Sequence, residues 1–140
     1  MAGTVPTVAT GAACPCGRQE RGRTAAYGDC CGRYLEPAGV PAPDAQTLMR
    51  SRYSAFVVER VDYLLATWHP SRRPARLDFD AGTRWLGLEV RSHRRLDEDH
   101  AEVEFVARQR DATGRAHRLH ERSRFVREQG RWFYVDGDLR

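Results

Sequence analysis

The chain has 140 residues, 41% of them hydrophobic and 30% charged, which is enough for one compact domain plus a small module, and no apolar run is long enough to span a bilayer. Its net charge of +4 comes from 23 basic residues, all Arg, interleaved with 19 acids. That mixture describes an ion-paired surface rather than a nucleic-acid-binding tract, although it leaves an anionic partner open.

Residues 1–13, MAGTVPTVATGAA, lack the basic and apolar regions of a secretory signal and read as a disordered lead. All four cysteines follow within a short span: Cys14-Pro-Cys16-Gly17, then Tyr27-Gly-Asp-Cys30-Cys31-Gly32. Two tight pairs separated by a loop can offer four thiolates to one tetrahedral metal, and zinc is the ion that best suits four thiolates. A disulfide staple and a redox pair are the competing readings. The first calls for an oxidising compartment, and adjacent cysteines are poorly placed to bond each other. Four thiolates leave zinc no open coordination position, so the expected role is structural rather than catalytic.

Residues 35–43, rich in Pro and Gly, form a linker that ends at Asp44, a candidate helix cap. The stretch from Leu48 to Pro70 is the densest apolar run. Met49, Tyr53, Phe56 and Val57, then Val61, Leu64, Leu65 and Trp68, recur at helical spacing. A break at Glu59-Arg60 gives two helices, about 44–58 and 61–68, and Pro70 stops the second after His69. Arg50 is expected to reach solvent. Arg52, nearer the buried edge, needs a carboxylate if it is buried, and Glu121 and Asp136 are the candidates. His69 is either a helix-end cap or a pocket-lining group.

From Trp85 the period changes to two. Leu86, Leu88 and Val90 alternate with polar residues, and Ala101, Val103, Phe105 and Ala107 share one face. Turn clusters at 97–99 and 111–114 lead into a strand over about 117–128. Gln129-Gly130 is a hairpin turn, and a last strand over 131–135 is closed by Asp136-Gly137. Short turns demand an antiparallel meander, and the helices are its only cover. The fold class is α+β: helices first, then a curved four-stranded sheet. In the third strand Glu121 and Ser123 share a face with Leu119 and Phe125, which makes Glu121 the leading pocket residue, while His120 is expected to be exposed. The candidate pocket is Arg52, Tyr53, Trp68, His69, Glu121, Ser123 and Asp136.

Cys-Pro-Cys-Gly with Tyr-x-x-Cys-Cys-Gly resembles the SEC-C motif, the zinc-binding element also found in the SecA translocation ATPase. Cys14, Cys16, Cys30 and Cys31 match its ligand positions, but the loop between the pairs is longer here and carries Arg18, Arg21 and Arg23. Those blocks, together with LMRSRYSAF, YLLATWHP, VEFVA, LHERSRF and GRWFYVDG, resemble the uncharacterised YchJ-type family, UPF0225. The resemblance implies an NTF2-like (cystatin-like) cone over 44–140 behind a SEC-C element over 14–34, with structural zinc. Longer members carry a second, C-terminal SEC-C motif that these residues do not show. It implies no activity. Two readings remain: a cytoplasmic protein- or ribosome-interaction module, and a small-molecule binder or isomerase/dehydratase-like enzyme with Glu121 as acid or base. Such cones also form homodimers through the sheet.

Overall fold

The computed structural model describes residues 6–36 and 39–140. A two-stranded hairpin, β1 (Gln19–Glu20) and β2 (Arg23–Thr24), turns through Arg21 and Gly22, both at positive φ. A short 3-10 turn (Tyr27–Asp29) and α1 (Gly32–Leu35) complete the cysteine module. Then come α2 (Ala45–Val57) and α3 (Val61–Ala66), and a four-stranded antiparallel sheet in the order β3 (Arg84–Arg95), β4 (His100–Arg110), β5 (Ala116–Glu128), β6 (Arg131–Leu139).

The lead expected to be disordered is in part tied down. Tyr27 N–H donates to Ala12 O, Gly28 N–H to Thr10 O, and Ala13 bridges Ala26. The first five residues lie outside the described ones. Leu35, assigned to the linker, ends α1 with its side chain fully buried; Pro37 and Ala38 are outside the described residues.

The helices form where the periodicity places them. Asp44 caps α2 by accepting the Thr47 N–H at 2.7 Å. Glu59 takes a positive φ at the break, and α3 restarts at Val61. The helices cover the sheet face that carries Ala101, Val103, Phe105, Ala107 and Phe125, all buried. Tyr53 and Phe56 meet Trp85 at ring-centre distances of 5.4 and 5.8 Å, contacts in the range where aromatic pairs add stability beyond their buried area.

Three bulges set the sheet's faces. Leu86 is left over between Trp85↔Gln109 and Gly87↔Arg108, so Trp85 turns inward and Leu86, expected in the core, is exposed. Arg91 is left over in the same strand, and Val135 in β6. The last strand does not close at Asp136-Gly137; it continues to Leu139. Gln129 and Gly130, both at positive φ, make the tight β5–β6 turn.

Candidate metal centre and cone interior

Ala13 and Ala26 bridge the lead to the segment before the 3-10 turn, and this brings the two cysteine pairs together. The four sulfur atoms lie within 4.8 Å of one another, and all four residues are buried. None is in a disulfide. Cys16 Sγ and Cys30 Sγ are 3.6 Å apart, far beyond a bonded pair and close to the edge of about 3.8 Å that four sulfurs make at a zinc–sulfur distance of about 2.3 Å. The donor set and its spacing therefore fit a tetrahedral thiophilic metal.

The thiols perturb one another strongly. Hydrogen bonds from Cys16, Cys30 and Cys31 hold Cys14 far below the ordinary thiol range, while the bond to Cys14 pushes Cys16 and Cys31 up. So crowded a set cannot ionise together without a cation among the sulfurs. Gly32 belongs to this packing: a Cβ there would lie 2.7 Å from Tyr27 O.

The module is fastened to α2. Arg50, expected to reach solvent, instead donates from Nη1 to Cys16 O at 3.0 Å, and Cys14 Sγ lies 3.7 Å from Ser54 Oγ. The sequence alone could not show this, because nothing in it says which helix face receives the module.

The candidate pocket residues separate into three places. Arg52 is buried, donates from Nη1 to Leu64 O at 2.8 Å and Thr67 Oγ1 at 2.7 Å, and packs against the Trp68 and Tyr134 rings. Burial lowers its guanidinium to about 10. Its hydrogen bonds go to neutral oxygens, so neither expected carboxylate binds it directly. Near it, the Glu121 carboxylate accepts from Ser123 Oγ and from Tyr134 Oη, the latter at 3.2 Å. Burial, then the charge of Glu121, raise Tyr134. Tyr134 and Thr67 were missed by sequence reasoning; Thr67 sits in the quoted Trp-His-Pro block, and its role as a cap-side acceptor for Arg52 leaves no pattern.

His69 and Asp136 lie elsewhere. Because Val135 bulges, Asp136 faces outward with Arg124, which it binds at 2.6 Å. His69 binds Glu128 at 3.0 Å and Ser71 at 2.7 Å. Both line an outer cleft of about 350 Å³ with Arg72 and Arg124. Tyr53 is buried against Trp85, away from both groups. His120, expected to be exposed, is half-buried and bound to Glu104 at 2.8 Å. No helix among the described residues is long and apolar enough to cross a membrane.

A curved antiparallel sheet closed by two helices, with a four-cysteine module docked on α2, defines an NTF2-like domain preceded by a SEC-C-type element. The model of the YchJ middle NTF2-like domain matches residues 44–137, and the chain belongs to this family, UPF0225. A UPF0225 protein of Polaromonas sp. (strain JS666) is 67% identical over 132 residues, spanning 93% of this chain and 95% of that one. One of Methylibium petroleiphilum is 65% identical over 127 residues, spanning 90% and 88%. The solution structure of RPA3114, a SEC-C motif containing protein from Rhodopseudomonas palustris, matches at a TM-score of 0.75 and 34% identity, covering 91% of this chain and 98% of that one. The crystal structure of a SEC-C motif containing protein from Psychrobacter arcticus matches at 0.73 and 32% identity, covering 91% and 82%.

Proposed function

We propose that the protein is a cytoplasmic interaction module whose cysteine centre holds structural zinc and whose basic hairpin docks an acidic surface of a protein or ribosomal partner. The observation that carries this reading is the closed, buried tetrathiol set beside an exposed hairpin tip. Four thiolates satisfy zinc completely, so the metal has no position left for a substrate or water, and its contribution is to order a module with little core of its own. Arg21 and Arg23 stand exposed at the β1–β2 turn, where long-range charge would steer an anionic partner.

The test is a pull-down with zinc-loaded protein, comparing the parent with R21E/R23E. A partner captured by the parent and lost by the charge-reversed form supports the module. Identical capture by both removes the hairpin from the interface.

A second reading, a small-molecule site in the cone, is favoured by one observation: Trp68 Nε1 is buried without a hydrogen-bond partner beside Arg52 and Tyr134, and buried donors rarely stay unpaired. Glu121 would then be the acid or base of an isomerase- or dehydratase-like reaction. Native mass spectrometry decides this: a retained small molecule, lost with Trp68→Phe or E121Q, favours the pocket, and zinc alone favours the module.

A further inference from the structure

Three side-chain nitrogens or oxygens among the described residues are buried without a partner: Arg18 Nε, Arg50 Nε and Trp68 Nε1. The first two come from different elements, Arg18 from the residue before β1 and Arg50 from α2, and their side chains line the same small cavity of about 60 Å³ with Cys30 and Cys31. Each guanidinium already has one arm anchored. Arg18 Nη2 binds Glu20 at 2.7 Å, and Arg50 Nη1 binds Cys16 O at 3.0 Å. Anchoring fixes where the remaining donors point.

A thiol is a weak hydrogen-bond acceptor; a metal-bound thiolate is an anionic and therefore strong one. A divalent metal with four thiolates carries two negative charges, and it would sit here in a buried setting where uncompensated charge is costly. Arg18, itself paired with Glu20, and Arg50 bring cationic N–H donors to that place, and Asp29 and Arg33 line the same cavity with opposite charges. Ser54 adds a hydroxyl 3.7 Å from Cys14 Sγ, one helical turn from Arg50 on α2.

We infer that Arg18 and Arg50, with Ser54, form the outer shell of the metal centre, donating to its thiolates, so that helix α2 of the NTF2-like domain is itself a part of the metal site. Two of the three outer groups come from outside the cysteine module. The module and the cone thus hold the metal jointly, and the metal in turn fastens the module to the cone. This rests on the metal reading above.

The experiment measures zinc transfer from loaded protein to a chromophoric chelator, together with the thiolate-to-metal charge-transfer band of the cobalt(II) form. Outer-shell losses weaken metal affinity by about 10–100-fold, so R18Q and R50Q are expected to release zinc about 10–100-fold faster, with a shifted cobalt band. R115Q, which removes one exposed charge from the turn between β4 and β5, outside the cysteine module, should release at the parent's rate. Lysine cannot reproduce the guanidinium fork, so R18K and R50K should restore slow release only in part. Parent-like rates and bands in R18Q and R50Q would overturn the inference. So would full restoration by lysine, which would reduce the effect to bulk charge. A parent that takes up neither zinc nor cobalt would overturn the metal reading, and the outer shell with it.

Discussion

The guanidinium carbon of Arg52 lies 4.7 Å from the centre of the Tyr134 ring, with the Trp68 ring 5.0 Å away. The cation is thus held by aromatic faces and by the Leu64 and Thr67 oxygens rather than by an ion pair. A buried charge of this kind costs desolvation that its contacts only partly return. R52A, which leaves both rings and both oxygens facing a hole, is expected to destabilise by about 2–4 kcal/mol. R52M keeps the volume and removes the desolvation cost, so its loss should stay below about 1.5 kcal/mol. Urea unfolding followed by tryptophan fluorescence measures both, and equal losses would show that the charge, not the volume, is what the site requires.

Glu121 is held in place by the absence of a side chain at Gly137. A Cβ there would fall 2.6 Å from the Glu121 carboxyl carbon. G137A must therefore push the carboxylate away from Ser123 and Tyr134, a cost of about 1–3 kcal/mol. In the double variant E121A/G137A the clash is gone, and the second substitution should cost much less than it does alone. Additive losses in the cycle would count against a direct contact.

Much of the fold is legible because its signals are local. Met49, Tyr53, Phe56 and Leu64 keep a helical period, Asp44 is a cap with its acceptor in the right place, and Asp/Gly-rich turns separate strands of period two. The cysteine centre is legible for the same reason, since its ligands sit in two short pairs. Bulges are not legible, because a left-over residue is defined only by the partner strand. The Val135 bulge is what separates Asp136 from Glu121: with an unbroken period Asp136 would follow Tyr134 inward, but Gly137 takes that place. β5 keeps its period from Glu121 to Phe125, and there the alternation put Glu121, Ser123 and Phe125 on the correct face. The docking of Arg50 on Cys16 is equally beyond local reading, being a contact across 34 residues.

Asp44 closes the N-terminus of the helix on which both the module and the sheet are packed. Its carboxylate satisfies the Thr47 N–H at 2.7 Å, one of the donors a helix start leaves unpaired. D44A should cost about 1 kcal/mol, with D44S or D44N retaining most of it. The midpoint in urea is expected to move with little change in slope; an unchanged midpoint for D44A would mean that water replaces the cap at no cost.

On the outer sheet face Glu104 pairs across to Arg122 and binds His120 at 2.8 Å and Arg122 at 3.4 Å. The hydrogen bond from His120, with a smaller contribution from Arg122, holds the Glu104 carboxyl below its ordinary value of 4.5. A carboxyl depressed in the folded state binds its proton more readily when unfolded, so its contribution to stability is fully present above 4.5 and is lost as pH falls through the lower folded value. E104Q removes that contribution at every pH. The variant should therefore melt below the parent at neutral pH, and the gap should close on acidification below about pH 4. Thermal melts of both proteins between neutral pH and the acid limb check this. A gap that stays constant across the range would mean that the glutamate acts through packing beside the buried Val106, and not through its charge.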